Sequence, residues 1–340
     1  MAITVNSVNA IEQIPVALQA KLVPMIHGSP GIGKSDIIKQ IASEYNLQII
    51  DKRLSQCDPT DLMGFPTVCK ETGKAFYAPM NTFPLETDEL PSGKDGWLLF
   101  LDEINSAPKA VQAAAYKLTL DRQVGEHTLH EKVLVACAGN KDTDNAIVHE
   151  MSTALQSRLV HFELDIDPKA WLAWASDNGI DYRITSYINF KPDSLYTFKP
   201  DHSDKTFACP RTWEFASKLI NGHTDIKDRL ALLAGTISEG VAREFIQYVD
   251  IFTQIPTISQ IVNNPEKLPV PEEPGTLYAI CGSIGNHAKK DNIDPLMKFI
   301  NRMPVEFQVI TLKDTMKRNP TLVQEQAVMD WVAKSASELL

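Results

Sequence analysis

The sequence predicts an α/β fold in which helices flank a mostly parallel sheet, followed by an all-helical part. Two observations predict this class. Up to about residue 165, short apolar runs alternate with segments whose apolar residues recur at helical spacing, and this alternation favours right-handed crossovers and a parallel sheet. Beyond that point, the apolar patterning is helical.

Five short apolar segments are predicted as strands of the sheet. The segment 96–104, GWLLFLDEI, has the continuous apolar core that is typical of a strand buried on both faces. Helices are predicted over 35–45, where isoleucines follow helical spacing, and over 107–120, which is rich in alanine. The predicted strands are residues 22–27, 47–54, 96–104, 132–140 and 159–164.

Two insertions interrupt the alternation, and each is predicted to form a hairpin. They span 66–79, with a turn at Gly73, and 122–132, with a turn near Gly125, because glycine adopts positive φ angles readily. A proline-rich stretch over 264–275 is predicted to be a linker or loop. We therefore predict an α/β domain, a helical domain and a C-terminal helical segment, over residues 1–165, 166–255 and 256–340.

The composition is that of an ordinary globular protein, with 44% hydrophobic and 22% charged residues among 340. The net charge of −10 argues against a large nucleic-acid-binding face, although it leaves room for a small basic patch. No apolar run approaches the roughly 18 residues that a membrane helix needs. The charge thus makes nucleic acid an improbable partner, and we expect no membrane partner.

The cysteines and the first residues bear on the compartment. There are five cysteines and no C-x-x-C spacing, which favours reduced thiols in a reducing environment. The first 22 residues lack a basic start followed by an apolar core, so we expect no signal peptide. Together these features predict a cytoplasmic protein.

The stretch HGSPGIGKSDII carries the clearest motif, because Gly28 to Ser35 matches G-x-x-x-x-G-K-[ST]. Glycines let backbone N–H groups turn inward around a β-phosphate, and the next helix directs its positive end at the same anion. Lys34 is predicted to bridge the β- and γ-phosphates, and the Ser35 hydroxyl to ligate Mg²⁺. A short pattern can arise by chance, but the strand before it and the helix after it are the context that a phosphate loop requires. The predicted ATP-binding residues are Gly28, Ser29, Pro30, Gly31, Ile32, Gly33, Lys34 and Ser35.

Two carboxylates follow the predicted buried strand. Asp102 leaves the strand at its carboxyl end, where ligands bind in open α/β sheets, and is predicted to hold Mg²⁺ through water. Glu103 is predicted to polarise the attacking water. The alternative is an acidic surface pair at a strand end. The phosphate loop favours the catalytic interpretation, with ATP and Mg²⁺ as cofactors.

The phosphate loop at 28–35, the segments LLFLDEIN and AAYKLTLDRQVGEHTL, and the strand LVACAGN together resemble an AAA+ ATPase of the MoxR type. The resemblance covers roughly residues 15–250. It implies a P-loop AAA+ core, a helical lid over 166–255, and ATP bound between the two. It also places the two hairpins where MoxR-like proteins carry their helix-2 and pre-sensor insertions.

The resemblance implies roles for three further residues. Asn140 matches the sensor-1 residue that orients the lytic water, Arg158 the arginine finger that reaches a neighbouring subunit, and Arg211 the sensor-2 arginine of the lid. Each has an ordinary alternative. Asn140 could cap a strand end, and Arg158 could pair with a local carboxylate. Arg211 lies at a predicted helix start, where its charge opposes the helix dipole, and this favours an anionic partner.

The function that the resemblance implies is ATP hydrolysis in a homo-oligomeric ring, a hexamer, that remodels a protein client. Family members often work with a partner that carries a von Willebrand factor A domain. The hairpins around Phe76 and Tyr77 and around Val124 are hypothetical contact loops. Two alternatives stay open: a nucleic-acid motor or loader, and a nucleotide-dependent scaffold with little turnover. The acidic balance counts against the first, and the pair of Asp102 and Glu103 against the second.

Overall fold

The structure is a computed structural model that describes residues 3–144, 149, 151–201 and 204–335. The described residues form two compact units. The first lies within 1–166 and 199–201, and the second within 167–198 and 202–340. The predicted boundary at residue 255 stays a prediction, and residues 336–340 of the predicted C-terminal segment lie outside the described residues.

The first unit is built on a six-stranded parallel sheet with the order β1-β10-β2-β9-β6-β3. All five predicted strands are confirmed, and the sheet also contains a two-residue edge strand that was not predicted. The strands are β1 Thr4–Val5, β2 Val23–His27, β3 Leu47–Arg53, β4 Phe65–Val68, β5 Ala75–Ala78, β6 Gly96–Asp102, β7 Gln123–Val124, β8 His127–Thr128, β9 Val133–Gly139 and β10 Leu159–Leu164.

Helices flank this sheet and make up the second unit. The helices of the first unit are α1 Ser7–Gln19, α2 Lys34–Glu44, α3 Pro59–Met63, α4 Lys109–Leu120 and α5 Thr153–Gln156. Those of the second are α6 Pro168–Asp177, α7 Tyr182–Phe190, α8 Pro210–Ile220, α9 Leu230–Ile237, α10 Glu239–Val249, α11 Ile258–Asn263, α12 Pro274–His287, α13 Ile293–Ile300, α14 Val305–Arg318 and α15 Gln326–Ser335. Short 3₁₀ turns include Leu54–Gln56, Ile104–Ser106 and Asp142–Asp144. None of the helices in the described part of the chain has the length and apolar character of a membrane span.

The first helix and the proline-rich stretch are two places where the structure differs from the sequence prediction. The side chain of Asn6 accepts a hydrogen bond from the backbone N–H of Asn9 at 2.9 Å and so caps α1. The sequence did not predict α1, which contains Pro15, a residue that usually ends helices. The stretch 264–275 is a loop as predicted, except that its last two residues begin α12.

Strand β6 divides the core of the first unit into two layers. All seven of its residues are buried, which confirms the prediction from its apolar run. Leu99 and its alternate neighbours pack with α4 on one face, whereas Leu98 and Phe100 pack with α1 and α2 on the other. The sheet is therefore covered on both faces, as a parallel sheet requires.

Both predicted hairpins are present. Strands β4 and β5 pair antiparallel with Gly73 at φ 64°, and β7 and β8 pair antiparallel with Gly125 at φ 59°. Phe65 is 62% exposed, whereas Val124 is fully buried. The hypothesis of a contact loop around Val124 is therefore wrong for that side chain, because it packs into the core beside α4.

The five cysteines, all within the described residues, form no disulfide. Cys137, Cys209 and Cys281 are buried, and burial raises the pKa of Cys137 to about 12. A thiol with so high a pKa stays protonated near neutral pH and is a poor nucleophile.

We predict that Leu99→Ala lowers the free energy of unfolding by about 2–5 kcal/mol, because it leaves a cavity at a fully buried site in β6. Urea unfolding followed by circular dichroism would measure this change. Leu120→Ala, at a position that is 40% exposed, is the matched control and should cost less than about 1 kcal/mol. Equal losses in the two variants would contradict the assignment of this core.

Candidate active site

The loop between β2 and α2 has the backbone that its glycines allow. Gly31 and Gly33 have φ angles of 77° and 97°, in the left-handed region that favours glycine. At Gly28, a Cβ atom would lie 2.5 Å from the side chain of Ile32. The backbone N–H of Gly28 also donates to the carbonyl of Gly139 at 3.2 Å, which ties the loop to β9. The loop is thus fixed between two strands at the N-terminus of α2.

The ammonium group of Lys34 lies across this loop. It donates to the carbonyl oxygens of Gly28 at 2.5 Å and Ser29 at 3.1 Å, and to Oδ1 of Asn140 at 3.1 Å. The structure therefore brings together Lys34 and Asn140, which are predicted from separate motifs. The side chain of Asn140 faces the lysine, so the alternative in which it only caps a strand end does not describe its contact.

Ser35 and Asp102 form the second contact between predicted residues. The Ser35 hydroxyl donates to Oδ2 of Asp102 at 3.0 Å, and Oδ1 of Asp102 accepts from the backbone N–H of Glu103 at 2.8 Å. Asp102 is buried at the carboxyl end of β6. A hydroxyl and a carboxylate side by side are oxygen ligands of the kind that Mg²⁺ prefers. These two residues would hold the ion, so the donor set fits it.

Glu103 adopts a left-handed backbone conformation with φ 57°, which is uncommon for a residue other than glycine. Its carboxylate accepts a hydrogen bond from the hydroxyl of Ser55. Sequence reasoning missed Ser55, because it lies 48 positions earlier and only strand pairing brings it close. Strand β3 pairs with β6 so that Arg53 faces Asp102, and Ser55 follows two residues later.

A further carboxylate that sequence reasoning missed contacts the phosphate loop. The Ser29 hydroxyl donates to Oδ1 of Asp144 at 3.1 Å. Asp144 is buried, and its Oδ2 atom has no hydrogen-bond partner in the described part of the chain. No local motif marks this residue, which lies in the 3₁₀ turn Asp142–Asp144 after β9.

Arg158 lies apart from this group. It precedes Leu159, which pairs with Val23 at the start of β2, whereas the phosphate loop follows His27 at the end of that strand. Four residues along a strand span about 13 Å, so Arg158 is at the opposite edge of the sheet. Its guanidinium donates to the carbonyl of Ala154 at 2.6 Å and lies 5.1 Å from the ring centre of Tyr116. It forms no ion pair with any residue that the structure describes.

Arg211 lies in the second unit, as the second residue of α8. It is exposed, and it has no hydrogen bond or ion pair with a described residue. Its position at a helix start agrees with the sequence interpretation. Its role toward a nucleotide stays a prediction.

A histidine pair borders the phosphate loop. Nε2 of His27 lies 2.8 Å from Nδ1 of His161, and the two rings are stacked. Burial, and the neighbouring His161, lower the pKa of His27, whereas Asp142 and Glu163 act in the opposite direction. The pairing is set by the register of β10 and β2, so sequence reasoning did not find it.

The predicted residues of the first unit thus fall into two groups. The phosphate loop, Asp102, Glu103 and Asn140 gather at the carboxyl ends of β2, β6 and β9, and Arg158 does not join them. Residues 24–164 match the profile of the AAA family, the ATPase family associated with various cellular activities. Over these residues the chain is similar to that ATPase family. The chain is accordingly a nucleotide-binding P-loop NTPase that hydrolyses ATP, with the α/β fold class that its sequence predicts.

Two solved structures illustrate how distant the similar chains are. RuvB from Thermotoga maritima, a Holliday junction branch migration motor, is 18% identical over 84% of each chain, with a TM-score of 0.35. A candidate ATPase from Cytophaga hutchinsonii is 13% identical over 99% of this chain and 90% of that one, with a TM-score of 0.38. At these TM-scores, neither likeness carries an argument about function. No curated protein matches the sequence.

We predict that the protein loses stability as the pH falls below about 6.5, partly through His27. The lowered pKa means that the folded protein binds this proton at a lower pH than the unfolded chain does, so acid favours unfolding. At pH values above the pKa of the unfolded chain, His27 is neutral in both states and does not affect the stability. In His27→Gln, the difference in melting temperature between about pH 7.5 and about pH 5.5 should be smaller than in the wild type. An unchanged difference would show that His27 does not contribute.

Proposed function

We propose that the chain is a Mg²⁺-dependent AAA+ ATPase of the MoxR type that works as a homo-oligomeric ring, a hexamer, and remodels a protein client. The observation that carries the proposal is the division of the predicted residues between two edges of one sheet. The loop, Asp102, Glu103 and Asn140 gather at one edge, and Arg158 lies at the other.

The gathered residues have the chemistry that ATP hydrolysis needs. Lys34 would exchange its contacts with neutral carbonyl oxygens for the β- and γ-phosphate oxygens, which form stronger hydrogen bonds with an ammonium group. Ser35 and Asp102 would hold Mg²⁺, which neutralises charge that develops on the phosphates. Asn140 would orient the water, since its side chain already faces Lys34.

Glu103 would accept the proton of the attacking water. The water oxygen forms a bond to the γ-phosphorus, the bond from that phosphorus to the β–γ bridging oxygen breaks, and the products are ADP and inorganic phosphate. The hydrogen bond from Ser55 holds the Glu103 carboxylate at the end of β6. Ser55 is therefore a positioning residue for this carboxylate.

Arg158 supports the ring. A charge at the far edge of the sheet cannot reach the phosphate loop of its own chain without a large rearrangement, but it can enter the site of a neighbour. A repeated contact between two different faces closes into a ring when its rotation permits. Completion of each site by the next subunit would then couple hydrolysis to subunit orientation.

The β4–β5 hairpin supports a protein client or partner. Phe65 and Val68 are 62% and 61% exposed, and Phe76 and Tyr77 are exposed on the paired strand. Exposed apolar side chains on a two-stranded hairpin are typical of a protein contact surface. A partner with a von Willebrand factor A domain is the proposed occupant. ATPase stimulation by DNA or RNA that salt abolishes would instead favour the nucleic-acid motor.

We predict that Glu103→Gln lowers kcat by about 10²-fold or more, because the amide cannot accept the proton of the attacking water. Binding of ATP should persist, so the variant should retain ATP that the wild type hydrolyses. Rapid filtration with radiolabelled ATP would measure both quantities. Glu12→Gln, at an exposed position of α1, is the control for the charge change. Turnover at the wild-type rate in Glu103→Gln would contradict the assignment and return the nucleotide-dependent scaffold to consideration.

We predict that Arg158→Ala lowers kcat by about 10³-fold while nucleotide still binds, and that the wild-type rate per subunit rises with protein concentration. The sharper measurement mixes Arg158→Ala with Lys34→Ala chains. Each variant alone lacks one half of the site. A mixed ring contains sites with an intact loop from one chain and an intact arginine from the next, so activity should return.

Arg243→Ala is the matched control, because it removes an exposed arginine of α10 that pairs only with Glu239 among the described residues. It should leave the rate of ATP hydrolysis unchanged. A wild-type rate that does not depend on concentration, or mixtures that remain inactive, would contradict the trans arrangement and the ring.

A further inference from the structure

Asn105 lies two residues after Glu103 in the 3₁₀ turn Ile104–Ser106, and it is 2% exposed. Its side chain makes two hydrogen bonds with the main chain of one residue. Nδ2 donates to the carbonyl of Asn140 at 2.7 Å, and Oδ1 accepts from the N–H of Asn140 at 3.1 Å. One carboxamide thus satisfies both backbone groups of Asn140, because it carries a donor and an acceptor side by side.

These two bonds take the place of the backbone pairing between β6 and β9, which ends before Asn140. The pairing of β6 with β9 runs from Trp97 opposite Val133 to Leu101 opposite Cys137 and does not continue to Asn140. Beyond Cys137, the chain that leaves β9 is therefore held to the end of β6 by the side chain of Asn105 instead of by backbone pairing. The register of Asn140 with the Glu103 end of β6 depends on Asn105.

Two further contacts fix the position of Asn105 beside Asn140. A Cβ atom at Gly139 would lie 2.2 Å from Oδ1 of Asn105, so the amide fits because residue 139 is glycine. The backbone carbonyl of Asn105 also accepts from the N–H of His149 at 2.6 Å. Asn105 consequently holds the chain both at Asn140 and beyond the segment that carries Asp144.

We propose that Asn105 is a positioning residue for hydrolysis, which fixes the side chain of Asn140 against Lys34 and in register with Glu103. The inference rests on the proposed function, since it assigns a supporting residue to the water-orienting role of Asn140. Asn105 does not touch the reacting atoms. It acts through the backbone of Asn140, so its loss should impair turnover and leave nucleotide binding nearly intact.

The test is a double-mutant cycle on kcat and KM for ATP with the full chain and Mg²⁺. Asn105→Ala and Asn140→Ala should each lower kcat by about 10- to 100-fold, with KM changed by less than about threefold. If Asn105 acts through Asn140, the double variant should be no slower than Asn140→Ala alone, because the second substitution removes nothing further. Binding of a fluorescent ADP analogue and the melting temperature would establish that each variant is folded.

Gln112→Ala is the matched control. Gln112 is also a buried carboxamide of the first unit, and it donates to the carbonyl of Ala107 at 3.1 Å but makes no hydrogen bond with Asn140. Its removal should lower the melting temperature and leave kcat unchanged. If Gln112→Ala lowers kcat as much as Asn105→Ala does, the loss reports general destabilisation and the inference is overturned.

Asn105→Asp keeps the inference testable if Asn105→Ala does not fold. A carboxylate cannot donate to the Asn140 carbonyl, but a protonated carboxyl group can. The ratio of the variant's kcat to that of the wild type should therefore rise as the pH is lowered from about 8 to about 6. A ratio that does not depend on pH would overturn the inference.

The cycle separates the inference from the proposed function. A normal kcat in Asn140→Ala would overturn the role proposed for Asn140, and the inference with it. A slow Asn140→Ala combined with a normal Asn105→Ala, or with losses that multiply in the double variant, would overturn the inference alone.

Discussion

The parallel direction of β2, β9 and β6 is the constraint on which the candidate active site depends. Because the three strands run the same way, their carboxyl ends meet at one edge, and each delivers a different polar group there. The loop after β2 supplies backbone and lysine, the end of β6 supplies two carboxylates, and the end of β9 supplies an amide. Residues 106 and 67 positions apart in the chain thereby come within hydrogen-bond distance.

The same direction of the strands keeps Arg158 apart from the residues around Lys34. The residue that precedes a parallel strand lies at the opposite edge from the residue that follows it. Arg158 precedes β10, so no local adjustment of its own chain converts it into part of the cluster around Lys34. The sheet thus gives the domain two chemically different edges, and an assembly that stacks one against the other brings complementary groups together.

Much of this arrangement was predictable from sequence, because its parts are marked by local patterns. The phosphate loop is contiguous, and the apolar run before Asp102 identifies a buried strand whose end must lie at the ligand-binding edge. Ser55, Asp144 and the pairing of His27 with His161 were not predictable in this way. Each depends on strand order and register, which the periodicity of a single segment does not encode.

Two local errors have similar causes. Helix α1 carries a proline in its interior, and the tertiary packing of its buried face outweighs the cost of the lost hydrogen bond. Val124 lies in a hairpin that looks exposed by sequence, but the short strands β7 and β8 lie against α4 and bury this side chain. In both cases the decisive contacts are tertiary packing, which the residue pattern of a single segment does not encode.

The lysine of the phosphate loop has a consequence for which ligands the site accepts. The ammonium group of Lys34 already donates hydrogen bonds to two carbonyl oxygens of the loop and to an amide oxygen. A ligand gains only the difference between these neutral acceptors and its own. Anionic oxygens attract an ammonium group more strongly than neutral carbonyl oxygens do, so they displace the carbonyls, whereas an uncharged molecule of the same shape gains little. The loop therefore discriminates by charge before it discriminates by shape.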